Sequence, residues 1–478
     1  MSTSQPPVIV NRNILEMEYA VRGPIPQRAA TMQQQGQNII PCNIGNPQAL
    51  GQSPLTYYRQ VLSLVEEPSK IARERQIKEL FEESPISTLK DSDFISEYVL
   101  SISEEILAKT GVGMGAYTES KGFAFIREAI AKFIDQRDGH TGELSANPEH
   151  IFLTDGASDA AKRVLNLLIA DKNDGIMIPI PQYPLYSASI KMFGGVQVNY
   201  YPDEDNDWTL SRAELETSFE KAQSEGVNVK AMVVINPGNP TGAILDVQSI
   251  ADVINFAKAH HLAIIADEVY QDNVYGGEFI SFAKALGADT VPLFSLHSIS
   301  KGFFGECGHR GGYLEVRNPP QVAGTDLNFI DLLLKQASVS LCANTAGQIL
   351  THLMVNPPEQ DSRPHQQFTQ EKQRILAELH EKAILIRAAF GQMNGVECFG
   401  KTGAMYLFPR LNKLPAGKND YDYCMALLEE TGLVTVNGSG FGQKEGTHHL
   451  RIAFLPPKEL LEEVLPQWIA FHNPYVAS

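Results

Sequence analysis

Between residues 150 and 300 the sequence alternates short β-rich runs with stretches of helical character. Residues 151–154, 175–180, 230–235, 262–266 and 291–296 read as strands, and residues 157–170 and 250–260 read as helices. That order predicts an α/β fold, a largely parallel sheet covered by helices. After the NPP at 356–358 the texture changes. Ile375, Leu379, Ala383, Ile386 and Phe390 follow one another at spacings of 4, 4, 3 and 4, one face of a long amphipathic helix, and a last helix is expected near 458–472. The expected organisation is an N-terminal arm (1–30) with a short helix near 13–21, a large domain (96–355), and a smaller α+β domain built from 31–95 and 356–478.

At 478 residues the chain is long enough for two packed domains. A formal net charge of −17 opposes non-specific binding to nucleic acid or to an anionic membrane, both of which need a basic surface. It does not exclude a small anionic substrate, which a few arginines in a pocket can hold. Cys42, Cys307, Cys342, Cys398 and Cys424 are odd in number, widely spaced and without a CxxC pair. They argue against a disulfide framework or a zinc site and for a reducing compartment. No apolar run approaches the length of a bilayer span, and MSTSQPPVIV carries no targeting pattern, so the cytoplasm is the expected location.

The segment SLHSISKGFFGECGHRGGY (295–313) carries the sharpest chemical signal. A strand runs into Ser298, Lys301 follows, and a glycine-rich stretch then holds Arg310. Lysine is rarely buried without a partner. An amine desolvated at the end of a buried strand is expected to titrate low and to act as a nucleophile able to form a Schiff base. Ser298 and Arg310 flank it with a hydroxyl and a cationic fork, a pair suited to a phosphate. By itself the segment also reads as a surface loop with a lone Lys and Arg.

Three further segments weigh against that loop. INPGNPTG (235–242) presents Asn239 at the carboxyl end of a strand, where α/β sheets bind their ligands. IIADEVY (264–270) ends an apolar strand on Asp267, a carboxylate that needs a partner such as a protonated pyridine nitrogen. TDGASDA (154–160) passes from strand to helix, leaving free N–H groups around Gly156, Ala157 and Ser158 as an anion site. Singly these are an ordinary turn, a helix cap and a helix start. Weight comes from their order: anion turn, Asn, Asp, Lys.

With that order in place, the chain resembles the fold-type-I pyridoxal-phosphate (PLP) enzymes of the aminotransferase class I/II superfamily, and within them the alanine aminotransferase family. The stretches NIGNPQALGQSPLTYYRQVLSL, IPIPQYPLYSASI, INPGNPTG, ADEVYQDNVY, SISKGFFGECGHRGGY, GAMYLFPR and GSGFGQKEG carry the resemblance over most of residues 40–455. GNPQALGQ, IPQYPLY and the GECG after the lysine point to the alanine type. The resemblance implies a PLP-dependent transaminase that converts L-alanine and 2-oxoglutarate to pyruvate and L-glutamate. It further implies a ping-pong cycle through pyridoxamine phosphate and a homodimer.

The site residues follow from the same resemblance. Lys301 would hold PLP and shuttle a proton between the substrate's Cα and the cofactor's C4′, and Asp267 would pair with the ring nitrogen. Asn239 and Tyr270 would bond the ring's phenolic oxygen, and Tyr183 would stack on its face. The phosphate would sit on Gly156, Ala157, Ser158, Ser298 and Arg310, with Tyr117, in GAYTES, reaching it from the partner subunit. Arg451, in HHLRIAF, would clamp the substrate's α-carboxylate, with Asn239 and the backbone of Gly45 beside it.

Two alternatives keep this fold: glyoxylate as the amino acceptor, giving a glutamate/alanine–glyoxylate aminotransferase, and a lyase of the aminocyclopropane-carboxylate synthase kind, which shares nearly all the cofactor residues. A non-catalytic PLP-binding regulator would carry an added basic DNA-binding module, for which there is no room before residue 40. Other residues read blandly. His448–His449 and His260–His261 lack a carboxylate or cysteine at metal-ligand spacing and read as surface or supporting residues, so no metal is expected. Cys307 reads as a packed thiol and the acidic run at 203–207 as a solvated loop.

Overall fold

The computed structural model describes residues 10–19, 23–82, 94–111 and 113–477. Among the described residues the largest sheet has seven strands. These are β1 (Ile151–Thr154), β2 (Asp174–Pro179), β3 (Val196–Tyr200), β4 (Asn228–Ile235), β5 (Ala263–Asp267), β6 (Leu293–Ser298) and β7 (Gly312–Arg317). Their spatial order is β1-β7-β6-β5-β4-β2-β3. β7 runs antiparallel to both its neighbours, and the remaining pairings are parallel. The α/β expectation therefore holds, with two strands added. VQVNY is an edge strand that buries Val198 and Tyr200 but exposes Gln197 and Asn199, too polar a pattern to read as core. GYLEVR emerges directly from the glycine-rich stretch that masks it in the sequence.

Successive side chains along a strand point to opposite faces. Ile176, Ile178, Val233 and Ile235 pack on one side against Val164 and Leu165 of the helix Ala157–Leu168. Met177, Met232 and Val234 pack on the other side against Ile250, Val253 and Phe256 of the helix Val247–Ala259. Each fully buried aliphatic side chain of this kind contributes roughly 1.5–3 kcal/mol. Because β1 and β6 are both antiparallel to β7, they are parallel to each other. The carboxyl ends of β1, β2, β4, β5 and β6 therefore share one edge, the edge at which such sheets bind ligands.

The long helix Arg363–Phe390 buries Ile375, Leu379, Ala383, Ile386 and Phe390, the five residues of its predicted apolar face. Phe390 meets Trp468 of the closing helix Lys458–Ala477 edge to face at 5.6 Å. Between them lies a small antiparallel sheet of β8 (Tyr406–Leu407), β9 (Val436–Asn437) and β10 (Leu450–Ala453), ordered β8-β10-β9. Ile40–Pro41 pairs in parallel with Leu433–Val434, which ties the approach to Gly45 to the C-terminal part of the chain.

The N-terminal region departs from expectation. Its first helix is shorter, Arg12–Glu16, and the expected end at Val21 lies outside the described residues. The stretch assigned to the arm holds a second helix, Pro24–Gln34, that buries Ile25, Ala29 and Met32. Proline suits the first helical position, so the prolines there begin a helix rather than prevent one. The acidic run is also more than a solvated loop. Glu204, whose side chain is 12% exposed, receives Arg410 and lies 3.0 Å from His449 Nε2. His449 is buried, stacked 4.7 Å from Phe408, and not a surface residue.

Candidate active site

At the carboxyl edge of the sheet a cavity of about 320 Å³ opens between the strand ends, the loop at 44–46, and β8 and β10. One end is built for an anion. After β1 the chain turns through Gly156 at φ 82° into the helix Ala157–Leu168, whose N-terminus carries no side-chain cap. A Cβ on Gly156 would lie in the left-handed region and 2.7 Å from Arg310 Nη2, so only glycine fits there. Arg310 Nη2 donates to Asp155 O (2.7 Å) and Ser158 Oγ (3.2 Å), and Nη1 donates to Cys307 O (2.9 Å). A fixed guanidinium over an uncapped helix start, with Ser158 and the buried Ser298 beside it, is a phosphate-type cradle.

The middle of the cavity holds Asp267, buried at the end of β5. Its Oδ2 accepts from the Tyr186 hydroxyl at 2.7 Å. Burial pushes its pKa up, and the Tyr186 hydrogen bond, the Val269 N–H and Lys301 offset only part of that, so the carboxyl sits above its ordinary value. A cationic partner is what such a group lacks. Nearby, Asn239 Nδ2 donates to the Tyr270 hydroxyl (3.2 Å), which donates to the Tyr406 hydroxyl (3.3 Å). Tyr183 lines the cavity, and its hydroxyl shares a 2.8 Å hydrogen bond with that of Tyr19.

Lys301 Nζ enters the same cavity and donates to Gly45 O at 2.6 Å. The sequence predicts a low pKa for this amine; the structure corrects that. Burial does push the amine down, but Tyr406, with Cys307 and Tyr183, favours the ammonium and carries it above its ordinary value. Tyr406 mirrors this: burial pushes the phenol up, and the cations of Lys301 and Arg451 bring it below its ordinary value. Burial is the largest single influence, and only the three neighbours together outweigh it; two of them, Tyr406 and Tyr183, lie more than 100 positions away, outside the segment around Lys301. Cys307 is corrected as well. It lines the cavity, its thiol donating to Ser300 O at 3.1 Å.

The far end is cationic. Arg451, on β10, is 2% exposed. Its Nη2 donates to Asn43 O (2.6 Å) and its Nη1 to Asn239 Oδ1 (3.1 Å). The guanidinium lies 4.3 Å from the Tyr406 ring and 4.7 Å from the Phe441 ring, and its buried Nε has no partner. A rigid buried fork with an open donor suits a carboxylate. Gly45 lines the same cavity with no room to spare, because a Cβ there would collide with the Tyr406 hydroxyl. Gly45→Ala is expected to displace Tyr406 and lower kcat/KM roughly 10²-fold, the scale of a misplacement of about 1 Å. Steady-state kinetics set beside a melting curve would check that the loss is local rather than global.

Of the residues expected at the site, Tyr117 stands apart, 77% exposed and outside the cavity, and Gly156 does not line the cavity but lies behind it against Arg310. Sequence reasoning missed Tyr186 and Tyr406. Tyr183 lies before the helix that begins at Leu185, so no helical face joins it to Tyr186, and no local signal marks either missed residue. Among the described residues no group of three or more His, Cys, Asp or Glu is placed to hold a metal, and no helix is long and apolar enough to cross a membrane.

Residues 92–466 match the model of a family described as aminotransferase class I and II. The chain belongs to that family. This aminotransferase is 41% identical to a probable mitochondrial alanine aminotransferase of Dictyostelium discoideum over 97% of its own length and 88% of that protein's. It is 41% identical to human alanine aminotransferase 1, covering 97% of this chain and 93% of the human one. To glutamate–glyoxylate aminotransferase 1 of Arabidopsis thaliana the identity is 40%, with 98% and 96% covered. Among solved structures, an alanine aminotransferase of Pyrococcus furiosus matches with a TM-score of 0.76 and 25% identity, covering 98% of this chain and all of that one.

An aminotransferase of this class depends on pyridoxal phosphate. The residues present fit that group: an uncapped helix start under a fixed guanidinium for the phosphate, and a buried carboxyl short of a cation for the ring nitrogen. The Lys301 amine and the buried, half-open Arg451 line the same cavity.

Proposed function

We propose that this aminotransferase moves the amino group of L-alanine to 2-oxoglutarate, yielding pyruvate and L-glutamate in a ping-pong cycle. The observation that carries this reading is the identity of about 41%, over nearly the whole chain, with alanine aminotransferases of Dictyostelium discoideum, Panicum miliaceum and Homo sapiens. When bound, the cofactor supplies an electron sink for the electrons left at the substrate's Cα.

The chain's own residues divide the rest of the work. Lys301 holds the cofactor and, when free, moves the proton at Cα, general acid–base work that typically contributes about 10²–10⁴-fold. Asp267, itself fixed by Tyr186, keeps the ring nitrogen protonated. Asn239 and Tyr270 donate to the ring oxygen, and Tyr183 covers the ring face. Gly156, Ala157, Ser158, Ser298 and Arg310 hold the phosphate. Arg451, with Gly45 and Asn239, takes the substrate's α-carboxylate. In a homodimer, Tyr117 of the partner subunit completes the phosphate site, which agrees with the exposure of this residue in the single chain.

The likeness to glutamate–glyoxylate aminotransferases of Arabidopsis thaliana favours a second reading, with glyoxylate as the acceptor. One titration separates the two. L-alanine added to the purified holoenzyme should shift the cofactor's absorbance band, and 2-oxoglutarate should then restore it. Restoration at much lower concentrations of glyoxylate supports the second reading, and a spectrum indifferent to alanine overturns the alanine assignment.

A further inference from the structure

GNPQALGQ (45–52) and GECG (305–308) are remote in sequence, yet the loops that carry them meet beside the cavity. Gln52 Nε2 donates to Phe303 O at 3.0 Å, a contact across 251 positions. Arg59, on the helix Thr56–Glu66, joins the two loops more firmly. Its Nε donates to Glu306 Oε1 at 3.1 Å and its Nη2 to Glu306 Oε2 at 3.0 Å, a two-point grip on a carboxylate whose side chain is 2% exposed. The same Nη2 donates to Gln48 Oε1 at 3.1 Å. Tyr58, next to Arg59 in the chain, stacks on Phe304 with ring centroids 5.8 Å apart. The helix is itself anchored, since it buries Val61, Leu64 and Val65.

This joint adjoins two walls of the cavity. Glu306 precedes Cys307, and GNPQALGQ begins at Gly45, whose carbonyl takes the Lys301 amine at 2.6 Å; Gly45 and Cys307 both line the cavity. We propose that Arg59 and Glu306 are positioning residues whose two-point ion pair fixes the wall at Gly45 against the wall at Cys307, and so restricts the amino donor to a small side chain. This rests on the alanine reading and on the role proposed for Lys301.

The amine that moves the proton at Cα touches Gly45 O, so the substituent on Cα is placed beside this wall. Alanine's methyl offers neither charge nor hydrogen bond, and only the room around it distinguishes it from a longer chain. A planar fork held at two points resists sliding and rotation where a point charge does not. Besides Arg59, Glu306 Oε2 meets His309 Nδ1 at 2.9 Å, a neighbour on its own loop that cannot tie the loop to the helix.

The test sets kcat/KM for L-alanine against that for L-2-aminobutyrate, one methylene longer, in the wild-type holoenzyme, Glu306→Gln and Arg59→Lys. Glu306→Gln keeps the shape of the side chain without leaving a buried charge, and Arg59→Lys keeps the charge without the fork. In each, the preference for L-alanine should fall roughly fivefold or more, out of the roughly 10–200-fold that one methylene can be worth. The change should come mainly from a lower KM for 2-aminobutyrate, while kcat for L-alanine stays within about threefold. A general loss of folded enzyme lowers both rates alike and leaves their ratio unmoved. The wild-type ratio in both variants, with alanine turnover intact, overturns the clasp and nothing else. A wild-type enzyme inert towards L-alanine is a different failure: it overturns the alanine reading, and the specificity argued from it falls too.

Discussion

Lys301→Ala is expected to leave a folded protein that binds pyridoxal phosphate only non-covalently and no longer transaminates. The side chain lines a cavity rather than filling a packed core, and its hydrogen bond is to a single carbonyl, Gly45 O, so its loss should cost little stability. The chemical loss is expected to be large because, in the proposed function, one group both anchors the cofactor and moves the proton at Cα. General acid–base work alone is worth about 10²–10⁴-fold. Borohydride reduction followed by peptide mapping should label the wild-type chain at residue 301 and leave the variant unlabelled. Full labelling of the variant would place the covalent attachment elsewhere.

Arg451→Ala carries the second large effect. The guanidinium is buried, sits between two aromatic rings and donates to Asn43 O and Asn239 Oδ1. Removing one member of a buried charge pair costs on the order of 2–5 kcal/mol, which is about 30- to 5,000-fold in kcat/KM at roughly 1.4 kcal/mol per factor of ten. Most of the loss should fall on KM for L-alanine. Arg451→Lys should not restore it, because a point charge lacks the planar fork and stacks poorly between rings. Kinetics with alanine that remain unchanged in Arg451→Ala would remove this residue from the substrate site.

The sheet was legible where its strands are buried on both faces, as in β2, β4, β5 and β6, because continuous apolar runs between turn residues leave little choice. β3 escaped because an edge strand buries only alternate residues, and β7 because its first residue belongs to a glycine-rich stretch. At the site, the residues nearest a strand's carboxyl end were legible: Asp267 and Ser298 end strands, and Asn239 and Lys301 follow within a turn. Their neighbours were not. Tyr186 and Tyr406 reach the cavity through contacts with Asp267 and Tyr270 that are 81 and 136 positions distant, and no local pattern encodes such a contact. The sign of the Lys301 shift failed for the same reason. Desolvation can be inferred from a buried strand, but two of the three neighbours that together outweigh it, Tyr406 and Tyr183, come from other parts of the chain.

The hydrogen bond from Arg451 to Asn43 O joins positions 408 residues apart, whereas Gly156 to Arg310 lie within one stretch of chain that is complete long before residue 451 is made. The two halves of the cavity are thus separated in time during synthesis. The proposed cradle for the cofactor's phosphate and ring can be translated, and its sheet can collapse, while Arg451, the residue proposed to take the amino acid's carboxylate, is still inside the ribosome. Contacts this distant in sequence close late. A nascent chain can thus acquire the reactive half of its chemistry before the half that chooses a substrate, and only release of the last few dozen residues makes the enzyme selective.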